Sequence, residues 1–264
     1  MAGAGESSGG APTRPNTTLA EVSERLPEAA TLAAEGGPPV AVFDADGTLW
    51  PGDVQEDVLR AFIAGRRLLG VDYGRDVFFH EYQVLVERDP PAGLLRAMTL
   101  FAGLDAAEVD RAARVVVERD CVARAYAEMV YFVGCVRELG YEPWIVSGSA
   151  ERFVRMAAPA LGVDEACVIG LRTEVDADGR LTDRGAGEVP YGEGKVRCID
   201  QIIGRRPWVA VGNGRADYEM LQAARAVAVC VNPDPELLAR AEHHGWPVVE
   251  VKRPEDKPGG FWAA

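Results

Sequence analysis

The apolar positions of the chain keep one rhythm up to about residue 140 and a different one beyond it. Behind the breaker Gly36-Gly37-Pro38-Pro39 stands VAVF, Val40 to Phe43, a short unbroken apolar run that predicts a strand buried on both faces of a parallel sheet. From about Val54 to Leu139 apolar residues recur three or four apart through DVLRAFIAGRRLLG, VFFHEYQVLVERD, GLLRAMTLFAGL, AAEVDRAARVVVERD and ARAYAEMVYFVGCVRELG, which predicts helices and no strand. Past Gly140 short apolar runs (YEPWIVS, ACVIGL, PWVAVG, AVAVCV, WPVVEV) alternate with helical stretches (ERFVRMAAPALG, KVRCIDQIIG, RADYEMLQAA, PELLARAEHHG). That alternation predicts an α/β fold with a doubly wound parallel sheet. The helical block between the first two strands is too long for an ordinary crossover, and is expected as a helical domain inserted over the C-terminal edge of the sheet. Ahead of the first strand, LAEVSERLPEAATLAAEG predicts one or two helical turns around Pro27, behind a tail rich in Gly, Ser and Pro.

The tetrapeptide Asp-Ala-Asp-Gly occurs twice, as FDADGTLW at Phe43 to Trp50 and as VDADGRLT at Val175 to Thr182. The first copy ends a buried strand, and in open α/β sheets ligands bind at that edge. The second lies between two short segments with apolar Leu171, Val175 and Leu181 spread among polar residues, the pattern of a hairpin on a solvated ribbon. Asp176 and Asp178 are therefore expected to be turn residues.

Composition narrows the function. The 264 residues suffice for a sizeable core, and the formal charge of −13 argues against a nucleic-acid binder, which needs clustered Lys and Arg. An anionic substrate would be repelled at long range and would need a local cation, a metal or a few placed basic side chains. No apolar run approaches eighteen residues, so no membrane span is expected. The N-terminus lacks the apolar stretch of a secretory signal, and the five scattered cysteines suit a reducing cytoplasm.

Four strand-loop-helix units bring chemistry to one edge of this sheet. Strand one ends in Asp44, Asp46 and Thr48, strand two in Ser147-Gly148-Ser149; Lys195 opens a helix, and PWVAVG runs into Gly212-Asn213-Gly214 with Asp217 beyond. In this order FDADGTLW, VSGS, GK and GNGRADYEML resemble the motifs of the haloacid dehalogenase superfamily of aspartyl-nucleophile phosphatases, in the branch similar to phosphoserine phosphatase, over about residues 40 to 232.

The resemblance implies a Rossmann-like core of residues 37–50 and 130–264 and a helical cap of the C1 type over 51–129; the composition ahead of them suggests a partly disordered tail over 1–36. It implies hydrolysis of a small phosphomonoester with Mg²⁺, through an aspartyl phosphate. Asp44 would be the nucleophile and a metal ligand, and Asp46 the general acid and base, its carbonyl also on the metal. Ser147 would hydrogen-bond a phosphoryl oxygen, with Gly148 and Ser149 beside it, Lys195 would neutralise charge, and Thr48 would brace the loop. Asp at the second position is similar to the phosphatases rather than the dehalogenases.

Two positions depart from the family pattern. Asn213 stands where the family most often has Asp as a metal ligand, with Asp217 four residues on as a further candidate. Asp53 matches the acidic position that contacts the substrate amine in phosphoserine phosphatases, but Ala97 stands where their carboxylate-gripping Arg would fall, with Arg96 adjacent. The phosphate ester of an amino alcohol, or of another cationic or neutral alcohol, is thus favoured over phosphoserine. A phosphotransferase or phosphomutase using the same intermediate, or a non-catalytic phosphometabolite-binding protein, are the alternatives. His243 and His244 are expected at the surface, Arg66-Arg67 and Arg205-Arg206 in solvent, and Phe78, Phe79, Tyr82 and Phe101 in the core of the cap.

Overall fold

The structure is a computed structural model that describes residues 17–27, 37–69, 78–252 and 254, with only the backbone of 78–81. Six parallel strands form one sheet: β1 Val40–Phe43, β2 Glu142–Ala150, β3 Val168–Leu171, β6 Val209–Gly212, β7 Val227–Val231 and β8 Val248–Val249, in the order β3-β2-β1-β6-β7-β8. Chain order runs one way from β1 through β2 to β3 and the other way from β6 to β8. The reversal lies between β1 and β6, where such a sheet opens a crevice beyond its carboxyl ends. Every residue of β1 and of β6 is buried, which the unbroken apolar runs anticipated. The edge strand β8 shrinks to two residues behind Pro247, which has no N–H to donate.

The ladder β4 Thr173–Val175 and β5 Leu181–Gly185 is antiparallel, and Asp176 stands in its turn. Asp176 Oδ1 accepts the N–H groups of Asp178 at 3.0 Å and Arg180 at 2.8 Å, and Gly179 takes φ +79°. The second Asp-Ala-Asp-Gly is a turn, as its flanks suggested.

Between β1 and β2 run α2 Val54–Ala64, α3 Phe78–Arg88, α4 Pro90–Thr99 and α5 Ala106–Asp120. Each of α2, α4 and α5 starts on an aspartate, Asp53, Asp89 and Asp105, whose side chain accepts an N–H of the first turn. These helices share one apolar cluster with the sheet: Phe62 of α2 meets Phe101 at 5.1 Å, and Phe101 meets Phe153 at 5.9 Å between ring centres. Phe153 lies on α7 Glu151–Ala157, directly after β2. Tyr82 and Phe101 are buried, as expected, while the side chains of Phe78 and Phe79 lie outside the described residues.

The helix α6 Ala127–Glu138 starts three residues ahead of the expected boundary at 130, and Tyr126 N–H returns to the Leu49 carbonyl at 2.9 Å. Tyr126 caps it without a side-chain bond, so no local signal marked its start. Of the 1–36 segment, α1 Leu19–Glu24 is a helix with a Thr18/Glu21 capping box and with Leu19 and Val22 buried; residues 1–16 and 28–36 lie outside the described residues. The remaining helices are α8 Glu193–Cys198, α9 Tyr218–Gln222 and α10 Pro235–His244. His244 stacks on Trp246 at the surface. Arg205 differs from its expected place in solvent: it pairs with Glu142 and donates to the Pro38 carbonyl, fastening the loops ahead of β1 and β2. Among the described residues no helix is long and apolar enough to cross a membrane, and the five cysteines are free thiols.

Candidate active site

At the reversal point β1 runs one hydrogen bond beyond its last residue, Asp44 N–H donating to the Val211 carbonyl at 2.8 Å. This anchors Asp44 against β6, where the residue is 7% exposed. The turn that follows is closed by Gly47 at φ +76°, and a Cβ there would stand 2.2 Å from the Asn213 side chain. Only glycine lets the β1 loop and the β6 loop touch at this point.

Lys195, at the start of α8, is 1% exposed. Its ammonium donates to Asp44 Oδ1 at 2.6 Å, Asp217 Oδ1 at 2.6 Å and the Val146 carbonyl at 2.8 Å, so all three protons have acceptors. Burial acts to discharge this lysine, but Asp217 and Asp44 outweigh it and hold its pKa above the ordinary range. Burial and then the Asp217 carboxylate push Asp44 up to about 7, against the pull of Lys195. Asp217 Oδ2 meanwhile accepts the N–H groups of Asn213 at 2.9 Å and Gly214 at 3.0 Å, folding the loop after β6 back on itself. Thr48 Oγ1 lies 2.8 Å from Asp44 Oδ2 and 3.3 Å from Asn213 Oδ1.

Asp46 is held from both sides. Oδ1 accepts Trp50 Nε1–H and the Val54 N–H, each at 2.8 Å; Oδ2 accepts Ser149 Oγ at 2.6 Å and stands 3.5 Å from Ser147 Oγ. Burial raises its pKa, and the bonds from Ser149, Val54 and Trp50 offset part of the rise. The two serines reach it because β2 bulges: Val146 pairs with Ile169 and Ala150 with Leu171, so four steps on β2 match two on β3. Ser147, Gly148 and Ser149 occupy the extra length.

Asp44, Asp46, Asp53, Ser147, Gly148, Ser149, Lys195, Asn213 and Asp217 line one cavity of about 220 Å³. Thr48 is not in that lining and reaches Asp44 and Asn213 through its hydroxyl. Asp53 combines two positions: its Oδ1 caps α2 by accepting Glu56 N–H at 2.8 Å, and burial, followed by the nearby Asp46, raises its pKa well above the usual carboxylate range. Arg96 is exposed on α4 and Ala97 is buried; among the described residues lining the cavity Lys195 is the one cation. The sequence reading missed Trp50 and the apolar wall of Val86, Pro90, Leu94, Pro190 and Tyr191. Trp50 carries only the faint signal of standing four residues after Asp46, and the wall residues carry none.

The donor set suits a hard divalent cation. Asp44 Oδ2 and Asn213 Oδ1, from two strand ends, converge on Thr48, whereas both oxygens of Asp217 already face protein donors. Among the described residues no group of three or more His, Cys, Asp and Glu is arranged to hold a metal ion.

The model of the haloacid dehalogenase-like hydrolases matches residues 41–222. A probable phosphatase of Mycobacterium tuberculosis is 30% identical over 59% of this chain and 54% of its own length. A phosphoserine phosphatase of Streptomyces coelicolor is 29% identical over 74% of this chain and 44% of its own, and a histidinol-phosphatase of Neisseria meningitidis 29% over 43% and 53%. The chain thus spans about half the length of the curated relatives it matches. A solved protein of unknown function from Anaerococcus prevotii superposes with a TM-score of 0.67 at 15% identity, over 91% of this chain and 95% of that one, a likeness of fold alone. The four strand-end motifs, the sheet order that joins them and the matched family model agree: the chain belongs to the haloacid dehalogenase-like hydrolases.

Proposed function

We propose that the chain is a metal-dependent phosphomonoesterase acting on a small phosphorylated amino alcohol. The observation that carries the reading is the buried Lys195 ammonium between Asp44 and Asp217, with Asp46 in the same cavity. Asp44 attacks phosphorus; a new bond forms from its carboxylate oxygen while the bond from phosphorus to the ester oxygen breaks. Asp46, whose pKa burial raises, gives a proton to that oxygen, which leaves as the alcohol. Water then attacks the phosphoryl group, Asp46 takes back a proton, and the bond to Asp44 breaks to release phosphate. Ser147 donates to a phosphoryl oxygen, and Lys195 offsets the charge that collects on Asp44. Mg²⁺ held by the Asp44 carboxylate, the Asp46 carbonyl and the Asn213 amide oxygen would supply the positive charge that a dianionic ester needs beside a carboxylate.

The walls support this substrate class. Asp53 offers a carboxylate to an ammonium group, no described cavity residue offers a cation to a carboxylate except Lys195, and the wall contributed by Val86, Pro90, Leu94 and Pro190 is apolar. A relative named for histidinol phosphate, itself an amino alcohol ester, supports that choice.

Phosphate release from a panel containing histidinol phosphate, phosphoethanolamine, phosphoserine and sugar phosphates tests this, with Mg²⁺ and with chelator. The wild type and Asp176→Asn should turn over an amino alcohol ester best by kcat/KM, and Asp44→Asn should lose turnover. Full activity in Asp44→Asn sinks the mechanism; preference for phosphoserine sinks the substrate. A new phosphoester in place of free phosphate would make it a transferase.

A further inference from the structure

A second cavity, of about 430 Å³, lies where α5 meets α7 and the corner between β3 and β4. Four guanidinium groups line it, Arg114 from α5, Arg152 and Arg155 from α7 and Arg172 at the corner, against three carboxylates, Asp110, Glu151 and Glu165. The whole chain carries 28 basic against 41 acidic residues, so the charge balance is inverted here.

The pairing inside leaves positive charge over. Glu151, 8% exposed, is shared: its Oε1 meets Arg155 at 2.8 Å, while Oε2 accepts Gly170 N–H at 3.3 Å and stands 3.9 Å from Arg172. Arg152 pairs with Asp110 at 2.8 Å and also reaches the Ala106 carbonyl. Arg114 forms no ion pair with a described residue. Each guanidinium carries five N–H donors in a fixed fork, so most of these donors are still available after the pairs are made. Thr173, at the wall, adds a hydroxyl that has no partner among the described residues.

We propose that this cavity binds a small oxyanion of at least two negative charges, a phosphate- or carboxylate-bearing metabolite, which joins α5 of the inserted block to α7 behind β2. Guanidinium forks match such groups two bonds at a time, and the arginines come from three separate elements, so one ligand engages all of them only at this seam.

Calorimetric titration of the full chain with pyrophosphate and, separately, with citrate, both in chelator, tests the site. One molecule should bind per chain; Arg114→Gln and Arg155→Gln should each weaken binding at least fivefold, while Arg111→Gln, an exposed α5 arginine outside the cavity, should not. Citrate alone would mark a carboxylate ligand, pyrophosphate alone a phosphate ligand. Binding of neither anion overturns the proposal, and so does binding that all three variants leave unchanged or weaken equally. Arg114 has no ion-pair partner among the described residues, so its variant should keep the wild-type melting point and remain readable even if Arg155→Gln destabilises the chain.

Discussion

Lys195 is the residue on which the centre of the molecule depends, because its ammonium separates two carboxylates where water is excluded. Deleting one partner of a buried charge cluster typically costs about 3–5 kcal/mol. Lys195→Met is expected to lower the unfolding free energy by that amount in urea titration, and adding Asp217→Asn should recover part of it. No recovery of stability in the double variant would mean that packing rather than charge is at stake. Asn213 is the second residue with a consequence of its own. Converting its neutral amide to a carboxylate beside Asp44 should tighten Mg²⁺ binding by about tenfold, since ligand charge sets affinity at such sites. Calorimetry on Asn213→Asp reads this without turnover; unchanged affinity would remove Asn213 from the ligand set.

At the scale of elements, α2 and α5 lie side by side with two carboxylates set against each other. Burial, followed by the Asp120 carboxylate and Asp46, raises Asp57 to about 6. Folded Asp57 therefore holds its proton more tightly than the unfolded chain does. Its contribution to stability is lost as pH rises from about 4 to about 6, the window between its unfolded and folded pKa values. Asp57→Asn should leave the melting point unchanged near pH 4 and raise stability by about 1–2 kcal/mol at pH 7, the full shift being discounted for partial exposure. A variant equally stable or less stable at pH 7 would show that the charge is already solvated. The other informative element is β2, whose nine residues carry a bulge that aims Ser147 and Ser149 at Asp46. An apolar run announces the strand, but the serines face Asp46 only because β3 pairs with it out of step.

Across the whole molecule, one apolar cluster runs from the sheet into the inserted helices through Phe153, Phe101 and Phe62. Phe101→Ala should cost about 3–5 kcal/mol, and calorimetry should still show a single transition that includes α2 to α5; two separated transitions would make the insert an independent folding unit. The net charge of −13 acts at longer range. For a phosphate dianion the kcat/KM should rise severalfold between low and physiological salt as repulsion is screened. A falling profile would mean that the local cations govern the encounter. The order of strands and helices, the turn at Asp176 and the four strand-end motifs were determined by the sequence alone. Periodicity, glycine placement and capping aspartates act within a few residues and need no partner. Tertiary structure decided the rest. Lys195 reaches Asp44 across 151 positions and Asp217 across 22. Trp50 turns onto Asp46, Asp53 is both helix cap and cavity wall, and Val86 and Leu94 close the site from the insert. Those contacts depend on the directions in which crossovers return the chain to the sheet, and no local pattern of residues encodes a direction.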